Sequence, residues 1–327
     1  MDPLFTLFDI DVSVYAVIIA CTALVSGALF GLCAPRFKKG TKALVCALTV
    51  VFGFLFARLT YILVYLGSFI DGVIEEPFFS PYTTGYGLIG VLLGGVLACA
   101  LTAGLRKERF SLLADGIAPW AALALAVCRF GEYFTEMGRG RFVDDVTEAY
   151  LCHFPIAVSN QWDEWHFAVF FTEGLTALII FLFLLIRSRR ANRAGTQYKL
   201  FFLLFFSTQV LWENMRFDEF LRWSYFIRVT QLVAALVPFL MMLWTAFRVS
   251  GRVAKWKADS SVSFRSVVIC LVAYLIAVGV CIAIEFALDK LGSFPNWALY
   301  LIMMAMCAVL GVTSYHVLIR AENAPKS

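Results

Sequence analysis

Charge is scarce in this chain. Of its 327 residues only 15% are charged, whereas 61% are hydrophobic and phenylalanine alone contributes 32. Soluble domains are nearer a quarter charged and half apolar, so the composition points to a polytopic membrane protein. Histidine is scarcer still, with three copies. There is no CxxC and no cysteine–histidine cluster at metal-ligand spacing, so no metal site is expected. The nine cysteines are scattered. Seven of them (Cys21, Cys33, Cys46, Cys99, Cys270, Cys281 and Cys307) lie inside apolar runs and are expected to be small core residues. The chain also lacks a P-loop, a glycine-rich nucleotide fingerprint and a basic-aromatic patch, so neither a fused ATPase nor a nucleic-acid partner is expected. Its opening, MDPLFTLFDIDVS, is acidic and has no basic flank of the secretory kind, so no cleaved leader is expected.

What is present is hydrocarbon in long runs. A helix needs about 20 mostly apolar residues to cross a bilayer, and nine stretches qualify: 12–34, 43–67, 86–105, 112–134, 166–186, 198–215, 228–247, 266–287 and 296–319. Basic residues sort by loop, nineteen after odd-numbered spans against six after even-numbered ones, with Arg58 and Arg129 inside spans. The positive-inside rule then places the N-terminus outside and the C-terminus inside. The segment 135–165 is rich in aromatics and acids and reads as a small extracytoplasmic cap. RFDEFLRWSYFIR, from Arg216 to Arg228, suits a short amphipathic helix at the headgroups. The expected organisation is a seven-helix membrane domain over 1–250. A KADSSVS linker, a two-helix hairpin and a short cytoplasmic tail follow over 251–327.

Ionisable groups in apolar runs are costly and mark functional sites by default. Arg58 lies near the middle of the second span, with Tyr61 and Tyr65 at i+3 and i+7 on the same helix face. It is either an interior polar site or a structural cation, snorkelling to an interface or paired with a carboxylate from another span. In CRFGEYFTEMGRGRF, Arg129 and Glu132 are spaced to pair along one turn, Gly131, Gly138 and Gly140 surround them, and Glu136, Arg139 and Arg141 follow. Glycines let a ligand approach closely, and arginine forks match phosphate oxygens. The stretch therefore reads as an anionic headgroup site, against the alternative of a self-neutralised structural pair. Glu213 and Arg216 repeat the acid-to-arginine spacing at the end of the sixth span. His166 opens the fifth span as a base or an ordinary interface residue. Tyr86 stands among glycines where an aromatic-belt residue is common.

Taken in order, these segments resemble the prolipoprotein diacylglyceryl transferase family across about residues 10–245. That integral membrane enzyme moves diacylglyceryl from phosphatidylglycerol to a lipobox cysteine thiol. Tyr15 in DVSVYAVI falls where the family has its first-span tyrosine. ARLTYILVY matches a GGRIGYVLFY-like segment, and GYGLIGVLLGG, with Tyr86 and Gly87, resembles HGGLIG. ADGIAPWAALALAVCRFGEYF resembles the DxIAP…GRxGNF signature, with Arg129 on its arginine and Gly131 on its glycine. WENMRF and TQLVAAL resemble VEFFR and GQILS, which adds Glu213, Arg216 and Gln231. Three positions depart from the pattern: Gly85 stands where the family has histidine, Glu132 where it has asparagine, and Gln209 where it has arginine.

The resemblance implies a multi-pass protein of the bacterial plasma membrane that needs no cofactor or metal. Its implied partners are phosphatidylglycerol, prolipoprotein signal peptides and other membrane lipids. It also implies a catalytic set of Arg129, Glu132, Glu213, Tyr15 and His166. Substrate contacts would come from Arg58, Tyr61, Tyr86, Gly87, Gly131, Glu136, Gly138, Gly140, Arg216 and Gln231. The thiolate is the nucleophile and needs a base or a positive field. With Gly85 in place of histidine the base stays open among Glu132, Glu136, Glu213 and His166. The rival expectation is a catalytically silent relative that binds anionic lipid or signal helices. A transporter is a weaker third, since the chain shows no internal repeat or paired broken helices.

Overall fold

Hydrocarbon cannot satisfy backbone N–H and C=O groups, so apolar runs of this length must satisfy them internally as helices. The structure, a computed structural model, describes residues 5–7, 10–75, 85–146, 148–189, 194–217, 221–224, 227–249, 264–290 and 296–320. The KADSSVS linker and parts of the basic loops lie outside these residues. The long helices are α1 (Val14–Cys33), α2 (Lys39–Val64), α4 (Leu88–Arg106), α5 (Phe110–Gly131), α6 (Val169–Ser188), α7 (Thr196–Met215), α8 (Val229–Val249), α9 (Phe264–Lys290) and α10 (Asn296–Tyr315). A short α3 (Leu66–Ile70) follows α2. The chain is an all-α polytopic membrane protein.

Eight of the long helices among the described residues are apolar enough to cross a membrane. The ninth, α7, sits where the sixth span was expected but carries Gln197, Lys199, Gln209, Glu213 and Asn214, which lower its hydropathy. Gln197, Gln209 and Glu213 are buried, as polar groups in membrane segments tend to be.

Two compact units are formed. The first comprises Met1–Ile186 and Met215–Val229, the second Arg187–Asn214 and Thr230–Ser327. Within the first unit, α2 and α4 pack with almost no side chain between them. A Cβ at Gly90 would collide with the Phe56 carbonyl, and one at Gly94 with the Phe52 carbonyl. Four-residue spacing of small residues is the usual device for such backbone contact. It brings α4 onto the helix that carries Arg58. Gly90→Ala is expected to destabilise the fold by about 1–3 kcal/mol, read as a lower midpoint in SDS titration. An unchanged midpoint would mean that the two backbones are not in contact.

Short strands complete this unit. β1 (Phe5–Leu7) pairs antiparallel with β2 (Ile10–Val12) ahead of α1, whose first turn is capped by the Ser13 hydroxyl accepting from Ala16 N at 3.2 Å. The segment expected as a cap folds as a three-stranded antiparallel sheet. Its central strand β5 (Trp165–Phe167) lies between β3 (Phe142–Val143) and β4 (Ala157–Ser159). The turn from β4 to β5 is tied by the Asn160 side chain, which accepts from Trp162 N at 2.8 Å and Glu164 N at 3.0 Å. Val158, Ala168 and Phe170 form a small core where the sheet meets the start of α6.

The headgroup helix expected over 216–228 is corrected by the structure. Its described part is an antiparallel pair, β6 (Arg222–Ser224) with β7 (Ile227–Arg228), and Leu221 before it has φ +54, which no right-handed helix accommodates. The cysteines also differ from expectation. All nine are free thiols, but Cys21 and Cys33 are exposed on α1 rather than in the core.

In the second unit α9 packs against α10 as a hairpin. The Tyr274 hydroxyl donates to the Ala235 carbonyl of α8 at 2.8 Å, and Ser266 and His316 meet at 3.0 Å near the hairpin's open end.

Candidate active site

The charges of CRFGEYFTEMGRGRF are gathered at the end of α5. Arg129 occupies its last turn, Gly131 ends it, and Glu132 opens a 3-10 turn to Phe134. Arg129 Nη1 pairs with Glu132 Oε1, as the i, i+3 spacing requires. Its other nitrogen, Nη2, lies 2.7 Å from Glu173 Oε1 on α6. The second oxygen of Glu173 faces Arg216 Nη1 at 3.7 Å. All four side chains are buried, with residue exposures of at most 7%. One carboxylate thus bridges two arginines, and the four formal charges cancel. Of the contacts Glu173 makes to Arg129 and Arg216, the one to Arg216 is the looser.

Glu173 is the residue that sequence reasoning missed. A signal existed, since FFTEGLTALI places an acid inside an apolar span, and such residues are functional candidates. Its neighbour Gly174 explains how it reaches Arg129. A Cβ there would stand 2.7 Å from the Phe130 ring and 3.3 Å from the Ala126 carbonyl. The absent side chain therefore lets α6 lie against α5.

Glycines shape the rest of the cluster. Gly138 has φ +70, and a Cβ on it would collide with Glu132 Oε2. That oxygen is buried with no hydrogen-bond partner among the described residues. Gly140 forms a bridge with Arg216 and donates its N–H to the Phe167 carbonyl at 2.7 Å. A Cβ there would press on Val169 at 2.8 Å and Phe167 at 2.9 Å. Arg216 lies just beyond the end of α7 and belongs to this extended pairing. The Arg216 carbonyl accepts from Arg228 Nη2 at 2.8 Å, and the Phe217 N–H donates to the Arg139 carbonyl at 2.9 Å.

Tyr15 and His166 join from two sides. A Cβ on Gly131 would meet Ile18 at 2.9 Å and the Tyr15 ring at 3.3 Å, so the start of α1 lies directly against the helix end that carries Arg129. His166 Nδ1 is 3.2 Å from the Gly140 carbonyl. A carbonyl only accepts, so Nδ1 is the donor in this contact. Glu136 is outside the cluster. Its side chain is 63% exposed, and it faces Arg139 at 3.8 Å, a surface pair of little energetic weight.

A second polar centre surrounds Arg58, which is fully buried. Its guanidinium lies 5.1 Å from the Tyr61 ring centroid and 5.8 Å from that of Phe69, and Nη1 donates to the Gly85 carbonyl at 3.4 Å. The Tyr61 and Tyr65 rings are 4.9 Å apart. Gly87, the residue just before α4, donates its N–H to the Ala57 carbonyl at 3.0 Å, and the Tyr86 ring packs on Phe54 at 5.0 Å. Gly85 has φ +87, and a Cβ there would lie 2.6 Å from the Tyr61 ring. The tyrosine therefore occupies the space into which a side chain at 85 would grow. Gly85→His is expected to lower stability and to raise no activity, measured by thermal unfolding in detergent beside transfer assays. A gain in activity would show that Tyr61 yields its place.

The two remaining candidates belong to the second unit. Glu213 is buried on α7, and Gln231 on α8 donates from Nε2 to Glu285 Oε2 of α9 at 3.2 Å. Among the described residues no group of three or more His, Cys, Asp or Glu is arranged to hold a metal ion.

Residues 3–248 match the family described as prolipoprotein diacylglyceryl transferase. Similar proteins include the phosphatidylglycerol–prolipoprotein diacylglyceryl transferase of Listeria innocua, 27% identical over 237 residues. That match covers 70% of this chain and 83% of the relative. The protein of the same name from Clostridium novyi is 25% identical over 245 residues, covering 72% of this chain and 91% of the relative. With three quarters of its length matched and Arg129, Glu132, Glu173 and Arg216 joined in one buried cluster, the chain belongs to the prolipoprotein diacylglyceryl transferase family.

Proposed function

We propose that this protein transfers the diacylglyceryl group of phosphatidylglycerol to the cysteine thiol of a prolipoprotein lipobox. It would act in a bacterial cytoplasmic membrane, with its N-terminus outside and its C-terminus inside. The observation that carries the reading is the buried pair of arginines, Arg129 and Arg216, bridged by Glu173 in a chain of this family. The catalytic domain is taken as residues 1–250, with the C-terminal hairpin as an appendage, which agrees with the extent of the family match.

In the reaction, sulfur bonds to the glyceryl carbon that carries phosphate. The carbon–oxygen bond to phosphate breaks, and glycerol phosphate leaves with both electrons of that bond. The thiol proton passes to a base. Arg129 and Arg216 are placed to stabilise charge building on the departing phosphate, which is where fixed cations lower a barrier most. Arg58, buried over Tyr61, would add a contact to the lipid headgroup. Glu132 is the strongest candidate for the base. One of its oxygens holds Arg129, and the other is buried beside Gly138 without a hydrogen-bond partner among the described residues. His166 Nε2 is the second candidate. Glu132→Gln keeps the size and an acceptor for Arg129 but removes basicity. It is expected to lower turnover by about 10²-fold or more, while phosphatidylglycerol still binds. Wild-type turnover in that variant would move the base role to His166.

The direct test uses purified protein in phosphatidylglycerol liposomes with a lipobox peptide. Release of glycerol phosphate and a matching gain in peptide mass are expected together. Binding of both substrates with neither product would make this a lipid- or signal-binding relative instead.

A further inference from the structure

The hairpin of α9 and α10 lies beyond residue 248, where the family match ends. It is nevertheless tied to α8, a helix inside the match, along one face. Gln231, Ala235, Phe239 and Met242 stand at i, i+4, i+8 and i+11, which places them on one side of α8. The Gln231 amide donates to Glu285 Oε2 at 3.2 Å, and the Ala235 carbonyl accepts from the Tyr274 hydroxyl at 2.8 Å. The Phe239 ring stacks with that of Tyr274 at 6.1 Å, and the Ser314 hydroxyl donates to Met242 Sδ at 3.4 Å. Leu232, Leu236 and Leu240, on another face, are exposed.

Packing alone accounts for most of these contacts, but not for Glu285. From Phe264 to Phe286, α9 is the most apolar of the eight spans among the described residues, and Glu285 is the sole acid in that run. A carboxylate there is costly and marks a functional position by default. What it holds is the start of α8. Gln231 is the third residue of that helix, which follows β7 directly. Three residues before Gln231, the buried Arg228 donates from Nη2 to the Arg216 carbonyl at 2.8 Å, and the Val229 N–H donates to the Leu221 carbonyl at 3.0 Å. Within four positions the chain thus carries a brace on the backbone of Arg216 and an anchor on Glu285.

We propose that Glu285 is a positioning residue for the transfer reaction: by anchoring Gln231 it fixes the start of α8, and with it the Arg228 brace on Arg216. The role given to Arg216 rests on the transferase reading above, whereas the anchoring rests on the contacts alone. Gln231, assigned to substrate by the resemblance, is here the partner of Glu285. The contribution is position. An arginine fork aimed at developing charge is only as well placed as its backbone, and a displacement of about 1 Å is costly to a reaction. The appended hairpin then belongs to the working enzyme, although the family match stops before it.

The test uses the full chain in phosphatidylglycerol liposomes, with transfer and amide hydrogen exchange read on the same variants. Glu285→Leu removes the acceptor and is expected to lower kcat roughly tenfold with KM for phosphatidylglycerol little changed, because the displaced arginine acts on the transition state. Exchange at the Phe217 and Val229 amides, which are hydrogen-bonded to Arg139 and Leu221, should quicken. Glu285→Gln keeps an acceptor for the Gln231 amide and should restore most of both. In an Arg216→Ala background Glu285→Leu should add no further loss, since the residue through which it acts is gone. Gln231→Leu breaks the same hydrogen bond from the other side and should reproduce the effects of Glu285→Leu, so a folding defect in one variant leaves the other to decide. A carboxylate that only fastens the hairpin would lower the thermal midpoint while kcat per folded protein stayed at wild type. That result, or a full penalty in the Arg216→Ala background, would overturn the proposal. Wild-type protein that transfers nothing would defeat the transferase reading instead, and exchange at Phe217 and Val229 would still decide whether Glu285 braces Arg216.

Discussion

Arg129→Ala is expected to reduce transfer by about 10²–10³-fold, the usual effect of removing a fixed donor from developing negative charge. The structure adds a second consequence. Arg129 neutralises Glu132 with one nitrogen and Glu173 with the other, so the substitution leaves two carboxylates buried with part of their compensation gone. Removing one partner of a buried pair typically costs about 3–5 kcal/mol, so a loss of activity could be a loss of fold. The two are separable. Arg129→Ala combined with Glu132→Gln leaves Glu173 opposite Arg216, so no charge is stranded. This double variant is expected to recover the thermal midpoint but none of the transfer. Arg129→Lys is expected to rescue poorly, since an ammonium cannot present two parallel donor edges to two carboxylates. Transfer near wild type in any of these variants, at wild-type protein levels, would remove Arg129 from the reaction.

The pattern of success and failure in reading the sequence follows from the range of the interactions. Helix positions are legible because the requirement that creates them, twenty apolar residues with internally satisfied backbones, is local. Every long helix falls within a few residues of its expected run. The Arg129–Glu132 pair is legible for the same reason, being one turn apart. Glu173 is 44 residues from Arg129 in sequence, and the contact depends on Gly174 admitting the Phe130 ring, a packing event with no periodic signature. Arg216 is placed by the bridge to Gly140, again long-range. The pair β6–β7 was misread because alternating charge and aromatics suit either an amphipathic helix or a twisted ribbon. The left-handed Leu221 that decides between them leaves no mark in composition. Tyr61 over Gly85 could be anticipated only as a shared helix face with Arg58. That the ring fills the space beside position 85 requires the close approach of α2 and α4 that Gly90 and Gly94 permit.

Glu173→Leu is expected to have the second largest effect, and on stability first. It strips the shared counter-charge from two buried arginines, an arrangement whose disruption costs about 3–5 kcal/mol. Glu173→Gln is the more informative change. It keeps the volume and one acceptor, so the fold should hold, but Arg129 and Arg216 lose the charge that fixes their forks. If Glu173 acts only by positioning those arginines, its effect on transfer must disappear once they are gone. Transfer by Glu173→Gln in an Arg129→Ala, Arg216→Ala background should then match that of the background alone, the non-additivity shown by residues that work as a unit. Penalties that add would mean that Glu173 has a partner of its own in the reaction. The four rates needed, wild type, Glu173→Gln, the double arginine variant and the triple variant, come from the same liposome assay. Anionic-lipid binding measured alongside separates the outcomes further. With one negative charge removed, the cluster carries a net positive charge and should hold phosphatidylglycerol more tightly while turning it over more slowly. Tight binding with slow transfer is the signature of a carboxylate whose role is to keep two cations in place for the transition state rather than to recruit the substrate.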